Sequence, residues 1–203
     1  MNYRDAQSAL RALYEVAATQ GGYFTAKQAA EVGYTKQHVA YHVAAGNFVR
    51  VERGLFRLPT IPVDECDEFI RLSLWSRGRD DVPQAVISHE SALALHELSD
   101  MLPGKVHLTV PRTFRKQPPG NCQLHRGQLD AGDTAARNGF RVTTPLRTLI
   151  DVAAENTVPT EQLELAVRDA IDKGMVTVRR IKEAADGAGD NGRLQVIVER
   201  VLR

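Results

Sequence analysis

Residues 22–58, GYFTAKQAAEVGYTKQHVAYHVAAGNFVRVERGLFRLP, constrain this chain more than any other stretch. Thr25 stands ahead of a helical run of about 26–32 that Gly33 closes. Thr35 repeats the pattern for a helix of about 36–45 that Gly46 closes. A hairpin follows, Phe48–Glu52 and Leu55–Leu58, with Arg53-Gly54 at the turn, where glycine supplies the positive φ of a two-residue loop. An amphipathic helix over 3–19 precedes this, with Leu10, Leu13, Val16 and Ala17 as its apolar face and Gly21-Gly22 as its stop. Helix, short extended step at Tyr23-Phe24, two helices and a tight hairpin are the outline of a winged helix-turn-helix, which lays one helix in a DNA groove and a β-wing beside it.

On the helix of 36–45, Val39 and Val43 are four apart and turn inward, so Lys36, Gln37, Ala40 and Tyr41 turn outward. Lys36 suits a phosphate, Gln37 suits adenine, and His38 and Tyr41 suit either. Thr35 and Lys27 flank this face, and Arg50, Arg53 and Arg57 stud the wing. Lys27, Thr35, Lys36, Gln37, His38, Tyr41, Arg50, Arg53 and Arg57 are therefore the expected DNA-contacting set. Net charge agrees once it is divided. The whole chain is +1, yet residues 1–58 hold seven Lys and Arg against four Asp and Glu, leaving the remainder at −2.

Beyond residue 58 the pattern is mixed α+β with a helical tail. Pro59 and Pro62 mark 59–63 as a linker between a DNA-binding domain, 1–58, and a second domain, 64–203. Helices are expected over about 64–77, 89–98 (with Ser88 as its cap), 145–154 (opened by Thr144-Pro145), 160–173, 178–186 and 192–202. Strands are expected at 105–110, 121–125 and 139–143, with the basic, proline-rich 111–120 as a loop. Arg147 and Asp151 have the spacing of an intrahelical ion pair.

Catalytic and metal signatures are missing from this pattern. His89, His96, His107 and His125 lack a ligand spacing, since His89 and His96 are seven apart on one helix, so no metal and no cofactor are expected. Phosphate-binding, dinucleotide, nucleophile-elbow and kinase motifs do not occur, which argues against an enzyme. The acidic run at 64–68 reads as a helix N-terminus. Cys66 and Cys122 match no zinc or redox spacing and are expected as reduced thiols. No apolar run reaches the ~18 residues of a membrane span, and the N-terminus has no signal-peptide core, so a cytoplasmic protein is expected.

The segment Phe24–Gly33 (F-T-x-x-Q-A-x-x-x-G) with its hairpin ending V-x-R-G-L-F-R-L resembles the winged-helix domain of AbiEi-type antitoxins. Ser88–Leu98, Val106–Pro111 and Val142–Asp151 are similar to the body of mycobacterial and actinobacterial members. The resemblance implies a type IV antitoxin. Its N-terminal domain would bind repeats or a palindrome in its own promoter, and its body would neutralise a nucleotidyltransferase-like toxin encoded alongside. Some relatives continue into a nuclease domain; this chain stops after the helical tail, and nuclease activity is not expected. His89, Arg112 and Arg115 are the expected toxin-facing residues. Two rival readings remain at this stage: an enzyme that modifies the toxin covalently, and a ligand-sensing regulator without a toxin.

Overall fold

The computed structural model describes residues 3–63, 65–100, 103–187 and 192–203. They form two compact units, one of residues 1–83 with 137–140, the other of 84–136 with 141–203. No helix among the described residues is long and apolar enough to cross a membrane.

The first unit runs α1 (Tyr3–Ala18), β1 (Tyr23–Thr25), α2 (Ala26–Glu31), α3 (Lys36–Ala44), β2 (Val49–Glu52), β3 (Leu55–Arg57) and α4 (Asp67–Trp75). Its three-stranded sheet has the order β1-β3-β2, both pairs antiparallel. Local chemistry explains the helix starts. Thr25 accepts from Gln28 N while the Gln28 side chain accepts from Thr25 N, a complete capping box. Thr35 accepts from His38 N. Gly54, at φ +78° with open space around it, makes the wing turn. The core gathers Ala9, Leu13, Ala17, Phe24, Tyr34, Val39, Phe48 and Leu58. Phe24 sits at its centre, edge-on to Phe48 at 5.0 Å and stacked on Phe56 at 5.6 Å. The buried stripe of α1 is Ala9-Leu13-Ala17; Leu10, expected on it, is 39% exposed. The small Ala9 allows close approach of the helix there, and Leu10 falls about 100° round the axis.

Residues 59–63 lie against this unit. Leu58 N donates to Gly22 O, Ile61 packs on the core, and the Tyr14 and Thr60 hydroxyls are 2.6 Å apart. Helix α4 belongs to the same unit: Tyr23 Oη donates to Asp67 Oδ2 at 2.8 Å, and Arg71 donates to Glu52 Oε1 at 2.9 Å. Asp67 and Glu68 occupy its first turn, as the dipole favours; Asp64 of the acidic run lies outside the described residues. Burial, then the hydrogen bond to Asp67, push the Tyr23 phenol up to about 12. The unfolded phenol ionises near ~10, so between those values only the unfolded chain releases this proton and stability falls as pH rises. The melting temperature of the wild type is expected to drop more steeply over that interval than that of Tyr23→Phe; equal slopes would refute the assignment.

The second unit opens with β4 (Val86–Ile87) and α5 (His89–Leu95). Strands β5 (Val106–Val110), β6 (Cys122–Arg126), β7 (Thr134–Arg137) and β8 (Phe140–Thr143) complete a sheet of order β6-β5-β4-β8-β7. β5 pairs parallel to β6 and antiparallel to β4, and β4 pairs parallel to β8. Four helices follow, α6 (Pro145–Glu155), α7 (Thr160–Asp172), α8 (Val178–Gly187) and α9 (Arg193–Val201), around a core that includes Leu149, Val152, Leu163, Val167, Ile181 and Ile197. Thr144 caps α6 as its sequence requires, accepting from Arg147 N, with Pro145 at the first helical position. Arg147 pairs with Asp151 at 2.8 Å and also with Asp133 at 2.9 Å. Helix α6 ends on Asn156 in the left-handed conformation, and Arg193 of α9 donates to the carbonyls of Val152, Ala153 and Val158 around that end. Strands β4 and β7 were not expected. Ser88 precedes α5 but makes no capping hydrogen bond: its hydroxyl accepts from Thr109 Oγ1 and meets His89 Nδ1 instead.

Candidate nucleic-acid interface

Helices α2 and α3 and the wing strands come together around one groove of the first unit. Lys27 on α2, Lys36, Gln37 and His38 in the first turn of α3, and Tyr41 one turn on are all exposed, Tyr41 by 69%. Arg50 and Arg53 on the wing are exposed too. Among the described residues none of Lys27, Lys36, Arg50 and Arg53 is paired with a carboxylate. A bulge between Arg50 and Glu52 breaks the β2–β3 register, a device that twists a hairpin and re-aims its side chains. Between α2, α3 and the sheet lies a groove of about 640 Å³ walled by Ala30, Val39, Val43 and Phe56, with Lys36 and Arg50 also lining it. Methyl-bearing walls beside cations are chemically suited to a thymine methyl next to a phosphate. Ala40 lines this groove as well.

Two members of the expected set stand apart. Arg57 is turned from the face: its side chain is 12% exposed, 4.0 Å from Asp67 Oδ1, donating to Ile61 O and lying over the Tyr23 ring at 5.8 Å. A guanidinium so enclosed holds α4 and is not free for phosphate. Thr35 is exposed, with its side-chain oxygen engaged in the α3 cap. His42, one turn beyond His38, is a core-edge residue: its ring stacks on Phe48 at 4.7 Å and meets Asn47 Nδ2 at 3.2 Å, and burial lowers its pKa.

In the second unit, Arg112 and Arg115 are exposed on the loop after β5. His89 corrects the expectation of a partner-facing residue, being 5% exposed. Burial, then the neighbouring His125, push it down to about 3, so the ring is neutral at physiological pH. It lies against His125 and near His107, with Glu90 and Glu155 alongside. His96 lies elsewhere, its Nε2 2.7 Å from Thr143 O. Chain spacing hid this cluster because the parallel β5–β6 register creates it. His107 pairs with Gln123 and His125 with Thr109, a two-residue offset that puts both histidines on one side of the sheet.

Comparisons with known proteins agree with the two-part organisation. A family model described as "Transcriptional regulator, AbiEi antitoxin" matches residues 11–59, and one described as "AbiEi antitoxin C-terminal domain" matches residues 84–196. No curated protein matches the chain. The crystal structure of the RV2827C protein from Mycobacterium tuberculosis is similar at a TM-score of 0.63 and 16% identity, over 96% of this chain and 77% of that one. At such identity the likeness is one of fold.

Proposed function

Because the chain belongs to the AbiEi antitoxin family, whose models assign it an antitoxin and transcriptional-regulator role, we propose that it represses its own promoter and neutralises a nucleotidyltransferase-like toxin. The first unit reads repeated or palindromic promoter DNA, with Lys36 and Gln37 of α3 at the major groove and Arg50 and Arg53 of the wing on the backbone. The observation that carries this is the set of exposed cations on α2, α3 and the wing, none paired with a carboxylate among the described residues, with Lys36 and Arg50 lining one groove, in a chain whose net charge is only +1. Neutralisation resides in the second unit, and its exposed Arg112 and Arg115 are the residues of choice for an acidic partner surface.

The test couples two readouts in one host. Co-expression of the full chain with the toxin-like protein encoded beside it is expected to restore growth, and a reporter behind the operon promoter is expected to fall silent. Lys36→Ala/Arg53→Ala is expected to release the reporter while growth rescue persists. No rescue by the wild type removes the toxin half of the proposal; a reporter still silenced by the double variant removes the assigned DNA face.

A further inference from the structure

The first turn of α5, strands β5 and β6 and the last residue of α6 bring three imidazoles and two carboxylates together inside the second unit. His89 and His125 stack face to face, their centroids 3.5 Å apart and their planes 13° from parallel. Glu155 Oε1 is 2.6 Å from His125 Nδ1 and 3.6 Å from His89 Nε2. The other nitrogen of each ring is held from behind. His89 Nδ1 lies 2.9 Å from Ser88 Oγ, which Thr109 Oγ1 in turn supports at 2.8 Å. His125 Nε2 lies 3.0 Å from His107 Nδ1. Both free nitrogens therefore converge on one carboxylate oxygen, the arrangement in which a histidine's second nitrogen is fixed by a neighbour and its first presents a lone pair to a cation.

The dimensions fit. Glu155 Oε1 is 2.6 Å from one nitrogen and 3.6 Å from the other, and a tetrahedral ion with bonds of ~2.0–2.1 Å needs ligand atoms about 3.3 Å apart, so a small parting of Glu155 from His125 admits it. The cluster is also short of donors. His89 Nε2, at 3.6 Å, is beyond hydrogen-bonding reach of Glu155. His107 Nδ1 carries at most one proton, yet it lies 2.8 Å from the buried Glu90 Oε2 and 3.0 Å from His125 Nε2. Lone pairs that face one another without enough protons are costly when buried. A divalent cation bound by His89 Nε2, His125 Nδ1 and Glu155 Oε1 takes up the lone pairs on that side of the cluster. The Glu155 side chain is 41% exposed, which gives an ion a way in and leaves one side of the site open.

We propose that His89, His125 and Glu155 bind a divalent transition-metal ion, for which two imidazole nitrogens and one carboxylate oxygen make zinc the best match, with a fourth position left to water or an added ligand. Ser88 and His107 orient the two rings, and Glu90 supplies a second negative charge beside them. Nothing in the DNA-reading or toxin-neutralising proposal depends on this site.

The experiment strips the purified full chain with a chelator, returns it to excess zinc, removes unbound ion by gel filtration and measures metal by elemental analysis. About one zinc per chain is expected. Glu155→Gln alters an exposed helix end and is expected to keep its circular dichroism while retaining less than a tenth of that zinc; His125→Gln is expected to do the same. His38→Gln, in the other unit, keeps the wild-type stoichiometry. Cobalt in place of zinc is expected to give a visible absorption band of four-coordinate, nitrogen-containing type that Glu155→Gln abolishes. A wild type that leaves the column without zinc overturns the proposal, as does a folded Glu155→Gln that holds as much zinc as the wild type.

Discussion

Replacing Lys36 and Arg53 by alanine together is expected to weaken promoter binding about a hundredfold and to reduce the slope of log affinity against log salt by about two. Each residue is an exposed cation without a carboxylate partner among the described residues, one in the first turn of α3 and one at the wing tip. A charge-assisted hydrogen bond to phosphate contributes about 1.5 kcal/mol, which is roughly a factor of ten in affinity. Each phosphate neutralised releases about 0.9 of a counterion, which fixes the slope change independently of the affinity change. Arg57→Ala is the internal control. Its guanidinium is enclosed by Asp67, Ile61 O and Tyr23, so the salt slope should not change while thermal stability falls. Fluorescence anisotropy of labelled promoter DNA across a salt series measures both quantities. An unchanged slope in the double variant, or a loss with Arg57→Ala as large as with Arg53→Ala, would place the DNA on another surface.

Phe24→Ala is expected to destabilise the first unit by about 3–5 kcal/mol. The ring has no solvent exposure and joins β1 to the wing through Phe48 and Phe56. Its removal takes away both the transfer energy of a large side chain and two aromatic contacts, and leaves a cavity between elements that cannot collapse without moving the hairpin. Trp75, the chain's single tryptophan, lies on α4 in the same unit and reports the transition. Denaturant unfolding followed by its fluorescence is expected to show the loss, whereas Leu10→Ala, on the exposed side of α1, costs at most about 0.5 kcal/mol. Equal costs for the two variants would mean that the core is not centred on Phe24.

What could be read from the sequence was what depends on neighbours in the chain. Thr25 with Gln28, Thr35, Gly54 and Thr144-Pro145 each fix a cap or turn within four residues, and each makes the local structure its side chain prescribes. Strands β4 and β7 were not legible for the opposite reason. Val86–Ile87 is too short to show any period, and Thr134–Arg137 carries Ala135-Ala136 where a strand pattern would show branched residues; both are strands because partners in the sheet complete their hydrogen bonds. Arg57 looked equivalent to Arg50 and Arg53 by composition and position. What separates it is Asp67 and Tyr23, residues brought to it by the packing of α4 and β1. The histidine cluster was hidden most deeply, since it needs the parallel pairing of two strands and the entry angle of α5, where His89 takes φ +52°.

The grip of Arg193 on the end of α6 has a consequence for motion. Glu155 is the last residue of that helix, and the carbonyls that Arg193 holds lie just before and just after it. Helix ends ordinarily fray independently, each on its own timescale. Here one side chain bridges the last turn of α6 and the first turn of α9, so each end loses these hydrogen bonds if the other opens. Amide protection at the end of α6 is therefore expected to depend on Arg193, and the residue most exposed in the histidine cluster sits beside a contact from a helix nearly forty positions further along the chain.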